Sequence, residues 1–172
     1  MTDSDPPTGG TNETATEWTP DSPDTEASVF YQINEGEVTV TSGRTLTEAD
    51  VTNFAGVSGD FNHLHLDAER MADSMFGARI VHGLLVLSAA TGLFWQNRSP
   101  EERASVVAFY GMDELRFRAP VFIDDTIHLE ATVTEKTEKP DGPGSGTVRY
   151  DIDIVNQSGT TVISCELLSL LR

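Results

Sequence analysis

The stretch Gly83-Leu84-Leu85-Val86-Leu87-Ser88-Ala89-Ala90-Thr91-Gly92-Leu93-Phe94-Trp95 decides the fold. Its apolar residues run round the whole circumference of a helix and leave almost no polar face, and such a helix must be wrapped by something else. The wrapping is written downstream. Val106 to Tyr110, Glu114 to Arg118, Ile127 to Thr137, Thr147 to Val155 and Val162 to Leu171 read as strands, several with period-two alternation, separated by Gly, Pro and Asp turns. Asp141-Gly142-Pro143-Gly144-Ser145-Gly146 is a hairpin loop by composition. One buried helix followed by consecutive antiparallel strands predicts an α+β fold, an antiparallel sheet wrapped around a central buried helix.

Working back from that helix, Val38 to Thr41 reads as a strand. Thr47-Glu48-Ala49-Asp50 resembles a capping box that opens a helix through Val51, Phe54 and Ala55 to about Val57. Ser58-Gly59-Asp60 breaks it. A loop follows until Asp67, which caps a second short helix over Ala68 to Met75, closed by Gly77. Residues 1–28 are rich in Thr, Pro, Gly, Asp and Glu and poor in aliphatics, so they read as a disordered acidic leader, with Trp18 its one large aromatic. Residues 29–172 are then one domain, which 172 residues suit better than two.

Charge narrows the partners. The formal net charge is -17, and every Lys and Arg lies at or beyond Arg44, yet the part before Arg44 and the remainder are both acidic. That field repels nucleic-acid phosphates and anionic lipid, which predicts neither as a partner. With two lysines against nine arginines, the excess reads as adaptation to high salt or as a plainly acidic protein. Cys165 stands alone in an apolar strand, which gives no intramolecular disulfide, no thiolate metal cluster and a buried thiol in place of a nucleophile. No apolar run reaches about 18 residues and no positively charged segment precedes an apolar N-terminal stretch, so the expected setting is soluble and cytoplasmic.

The densest chemical signal is Phe54 to Asp67 followed by Arg79-Ile80-Val81-His82-Gly83-Leu84-Leu85. Asp60, Asn62 and His65 fall between two short helices, where a scaffold can hold reactive groups. A carboxylate and an imidazole bracketing one water can supply a base and a proton. A backbone N–H at the start of a buried helix can hold a developing oxyanion, and Gly83 has no side chain to obstruct the approach. Composition alone leaves the bland alternatives open: Asp60 as a turn or cap residue, Asn62 as an Asx-turn former, His65 as a surface imidazole.

Ser58-Gly59-Asp60-Phe61-Asn62-His63-Leu64-His65-Leu66-Asp67 resembles the signature of the MaoC-like, (R)-specific enoyl-CoA hydratase family. Ile80-Val81-His82-Gly83-Leu84-Leu85 is similar to the family's second block, and Arg118 to Asp125 to its strand-to-turn segment. The resemblance spans about Arg44 to the C-terminus. It implies a single hot-dog fold, an acyl-CoA substrate, a homodimer, and hydration of a trans-2-enoyl thioester with no cofactor and no metal. It also implies roles: Asp60 and His65 as the catalytic pair, Asn62 orienting the loop, the Gly83 amide on the thioester oxygen, and Thr91 and Phe94 lining the acyl pocket. The family usually has proline where this chain has His63, a change that removes a fixed φ from the loop. His82 reads as a packing or hydrogen-bonding residue, and His128 carries no motif signal. Two other readings remain, a thioesterase on the same fold and a non-catalytic acyl-CoA-binding subunit. The first is disfavoured because Leu84 to Trp95 contains no acidic residue.

Overall fold

The computed structural model describes residues 28–139 and 141–172. The expected leader, Trp18 included, lies outside them except for Ser28, which is buried and shares a 3.0 Å hydrogen bond with the Ser145 hydroxyl. Ser28 therefore belongs to the folded body.

Six helices and six strands follow in the order α1 (Val29–Gln32), β1 (Val38–Val40), β2 (Arg44–Thr45), α2 (Glu48–Ser58), α3 (His63–Leu66), α4 (Ala68–Ala72), α5 (Gly83–Asn97), α6 (Pro100–Ser105), β3 (Val106–Phe117), β4 (Thr126–Glu138), β5 (Gly146–Asn156) and β6 (Thr161–Leu171). The strands form one antiparallel sheet in the order β1-β4-β5-β6-β3, with β2 paired to β4. This is the expected α+β hot-dog arrangement, the sheet curled on α5. Period-two alternation builds it: Ile127, Leu129, Ala131 and Val133 of β4 and Val148, Tyr150, Ile152 and Ile154 of β5 are buried in one core with Val86, Ala89, Ala90 and Phe94 of α5.

The stretch expected as two strands from Val106 to Arg118 is one strand, β3, with register shifts against β6 at Val106/Ala108, Phe109/Gly111 and Asp113/Arg116. Bulges let a strand bend without ending, and the positive φ of Glu114 lies in the last of them. The central helix is also not enclosed all round. Leu84 and Trp95 remain 56% and 47% exposed, because the sheet covers one side of α5 and leaves the opposite stripe uncovered.

Three short elements, α1, α3 and α6, have no long apolar period to announce them. In α6 the signal is chemical instead. Ser99 caps it with Glu102 in a reciprocal capping box and Pro100 occupies its first turn.

Candidate active site

The loop after α2 is built by local hydrogen bonds. Gly59 takes φ +75° and ends the helix in the left-handed region that glycine enters without a Cβ penalty. The Ser58 hydroxyl donates to the Phe54 carbonyl at 2.7 Å and accepts from the Asp60 N–H at 3.1 Å. Asp60 Oδ1 accepts from the Asn62 N–H at 3.3 Å, and Asn62 Oδ1 accepts from the Leu64 N–H at 3.1 Å, capping α3. Asn62 thus orients the helical turn that carries His65, and its side chain is not among those lining the cavity.

His65 is buried, and its Nδ1 lies 2.7 Å from the Ile80 carbonyl. A carbonyl can only accept, so Nδ1 bears the hydrogen and Nε2 is left with a lone pair. That Nε2 is 3.9 Å from Asp60 Oδ2. The second sequence block ties the first to the Arg118 to Asp125 segment, because Ile80 N–H donates to the Leu64 carbonyl and Val81 N–H to the Val121 carbonyl. Burial is the largest influence on His65 and pulls its pKa below the usual imidazole value, against the opposing hydrogen bond to Ile80. The pair therefore meets near neutral pH as a carboxyl group beside a neutral imidazole, not as an ion pair.

Asp60, His65, His82 and Gly83 line one cavity of about 650 Å³ with Phe54, Phe76, Ile80, Leu84, Phe117, Arg118 and Val121 among its walls. Gly83 is the first residue of α5, so its N–H has no intrahelical acceptor. A Cβ placed there would stand 2.5 Å from the Phe117 ring, which explains why this position is bare.

The structure does not bring the expected acyl-pocket residues to this cavity. Phe94 lines a separate space of about 90 Å³ with Arg98 and Tyr150, and Thr91 lines neither, its hydroxyl donating to the Ser88 carbonyl. The reason is the length of α5: these residues lie two to three turns beyond Gly83, while the cavity opens at the first turn. Apolar lining comes instead from Phe54, Phe76, Leu84, Val86 and Phe117. Helical spacing marks Phe54 as inward-facing. Phe117 adjoins the Arg118 to Asp125 block in sequence, which is the available hint for that side chain.

Asp60, His65 and His82 each offer a possible ligand atom within 4.8 Å of the others. The two imidazole rings are stacked, with centroids 3.7 Å apart and planes 26° from parallel. The hydrogen bonds to Ile80 and Asp60 leave His65 Nε2 and His82 Nδ1 as the nitrogens with free lone pairs. Cys165 is buried away from this cluster, and burial pushes its thiol up to about 11, which fits an inert core residue. His63 does not line the cavity, and His128 pairs with Glu130 on the sheet at 3.1 Å.

Comparison with known proteins identifies the family and the fold. The family model described as MaoC like domain matches residues 30–155. Protein MaoC of Klebsiella aerogenes is 46% identical over 110 residues, which are 64% of this chain and 32% of that protein; the chain thus spans about a third of that relative's length. A monoamine oxidase regulatory protein from Archaeoglobus superposes with a TM-score of 0.76 at 38% identity, covering 83% of this chain and 93% of that one. The (R)-hydratase of Aeromonas caviae involved in PHA biosynthesis superposes with a TM-score of 0.66 at 30% identity, covering 81% and 98%. This chain belongs to the family of MaoC-like hydratase and dehydratase domains.

Proposed function

We propose that the protein is an (R)-specific enoyl-CoA hydratase, catalysing reversible syn addition of water to a trans-2-enoyl-CoA to give the (R)-3-hydroxyacyl-CoA. One observation carries this reading: Asp60 Oδ2 and His65 Nε2, two acceptors 3.9 Å apart, face the same apolar-walled cavity as the first amide of α5. Two acceptors that close have no hydrogen to share, and a water between them donates one to each. Named (R)-specific hydratases among its relatives, at 35–38% identity, support the choice of reaction.

In the proposed reaction the water oxygen bonds to C3 while the His65 Nε2 lone pair takes one of its hydrogens. The resulting imidazolium is held by the Nδ1–H bond to Ile80. The C2=C3 electrons move onto the thioester, whose oxygen is held by the Gly83 N–H. The proton is then returned to C2 through the Asp60 and His65 pair. Both additions come from one side, which makes the outcome syn, and no electrons are gained or lost. The apolar wall removes competing water and strengthens the amide's hold on the enolate oxygen.

Asp60→Asn and His65→Gln each lower crotonyl-CoA hydration by about 10²- to 10⁴-fold with the melting temperature nearly unchanged. Near-normal turnover in either variant defeats the assignment. Release of free thiol from acyl-CoA would favour a thioesterase, and binding without turnover a non-catalytic subunit.

The uncovered stripe on α5, with Leu84 and Trp95 exposed, supports a homodimer in which a second copy covers it. Sedimentation in concentrated KCl yields a dimer that Trp95→Glu dissociates; a wild-type monomer contradicts this part. Among the described residues no helix is long and apolar enough to cross a membrane.

A further inference from the structure

His82 contacts His65, Phe54 and the main chain of Asp60, and directly precedes Gly83. Its ring is 2% exposed, stacked on His65 at 3.7 Å between centroids and set edge-on against Phe54 at 5.1 Å. Its Nε2 lies 3.0 Å from the backbone carbonyl of Asp60, and its own backbone caps α5 immediately before Gly83. The carbonyl of Asp60 accepts, so Nε2 of His82 carries the hydrogen and Nδ1 the lone pair. That Nδ1 is buried and has no hydrogen-bond partner among the described residues.

An orphaned buried acceptor loses its hydration without recompense. A phenylalanine here would stack on His65 without that cost, but it has no N–H for the Asp60 carbonyl. A glutamine would offer the N–H, but it has no ring for His65 to stack on. Among side chains of this size, an imidazole makes both contacts from one position. The two histidines also use opposite nitrogens, His65 donating from Nδ1 to Ile80 and His82 from Nε2 to Asp60. Each ring is thus locked in one tautomer by a different strand of backbone.

We propose that His82 is a positioning residue for the reaction assigned above. Its N–H fixes the main chain of Asp60, its ring face sets the plane of His65, and together these keep the bare Nε2 of His65 aimed at the Asp60 carboxylate. It touches no reacting atom itself. The inference rests on the hydratase reading for its kinetic part and on the hydrogen-bond geometry alone for its tautomer part, so the two can fail separately.

The test has two arms. Nitrogen-15 NMR of the imidazoles in the wild-type chain should show His82 as the Nε2–H tautomer and His65 as the Nδ1–H tautomer, at a pH where both rings are neutral. An Nδ1–H tautomer at His82, or rapid mixing of tautomers at either ring, overturns the proposal whether or not the protein hydrates crotonyl-CoA. In the kinetic arm, His82→Gln keeps the donor and loses the stack, and His82→Phe keeps the stack and loses the donor. Each should lower kcat by about ten- to a hundredfold while KM stays within about threefold, the mark of misplaced catalytic groups in place of lost substrate binding. In His82→Phe the His65 tautomer signal should broaden or split. Wild-type kcat with an unchanged His65 signal in both variants overturns the proposal, and a wild-type chain without hydratase activity fells the functional reading while leaving the NMR arm to decide this one.

Discussion

The two faces of the sheet handle polar groups in opposite ways. On the helical face, the walls around α3 and the start of α5 are apolar, and a few acceptors are left unspent: His65 Nε2, His82 Nδ1 and Asp60 Oδ2. On the outer face, charge is abundant and crowded. Register places Glu130 opposite Asp153, and Asp151 opposite Glu166, which is itself opposite Asp113. One cation, Arg149, serves Asp113, Glu135 and Glu166 together. Desolvation and the charges of Asp151 and Glu130 hold the Asp153 carboxyl above its ordinary value. Free acceptors gather at the apolar-walled cavity, while like charges gather on the outer face.

The sharpest way to break that contrast is to move the amide at the start of α5. Gly83→Ala puts a methyl 2.5 Å from Phe117 and should lower kcat by about 10²-fold with little change in melting temperature. Adding Phe117→Ala should recover part of the loss; no recovery would show that the collision is not with this ring.

Acid tests the withheld lone pair of His65. Burial lowers its folded pKa, so the acid limb of kcat/KM should fall below the ordinary imidazole value of about 6.5. The unfolded chain binds that proton more tightly than the folded one. His65 therefore contributes no penalty above the ordinary value, and stability is lost as pH falls from there towards the lower folded value. Urea melts across pH 7 to 5 compare wild type with His65→Gln; a steeper acid loss in the variant would contradict the sign.

The outer face gives a smaller effect. Glu130→Gln removes one partner of a like-charged pair worth roughly 0.2–1 kcal/mol and should raise the melting temperature by about 1–3 °C in low salt. In molar KCl, where the screening length is about 3 Å, the gain should vanish. Equal gains at both salt levels would detach the acidic surface from salt response.

An effect of similar size concerns the loop between α2 and α3. His63 is the first residue of α3, and the preceding Asn62, at φ -60° and ψ 142°, already has the backbone that a following proline requires. His63→Pro should stabilise by about 0.4–1 kcal/mol and leave KM unchanged. A loss of stability would mean that the histidine holds the loop by a contact of its own.

How much of this was legible in the sequence depends on the range of the interaction. The helix at Gly83 follows from an unbroken apolar run and the long strands from apolar alternation, and Thr47, Asp67 and Gly59 mark ends through local hydrogen bonds or a left-handed turn. Asp60, Asn62 and His65 were readable as a motif, and the structure brings Asp60 and His65 to one cavity with Gly83. Thr91 and Phe94 were misplaced because a helical stretch alone does not say which turn faces a cavity opened by distant segments. Phe117 and His82 gain their meaning from contacts with Gly83, His65 and Asp60 that join separate parts of the chain. The continuity of β3 was hidden for a similar reason, since bulges interrupt the alternation while pairing with β6 carries on.

The central claim is that a single water, held between Asp60 and His65 against one side of the double bond, supplies both the hydroxyl and the hydrogen. Hydration of crotonyl-CoA in deuterium oxide, followed by stereochemical analysis of the product, tests this most directly. The account predicts (R)-3-hydroxybutyryl-CoA with deuterium at C2 added on the same face as the hydroxyl at C3. Product of S configuration, or deuterium on the opposite face, would contradict it.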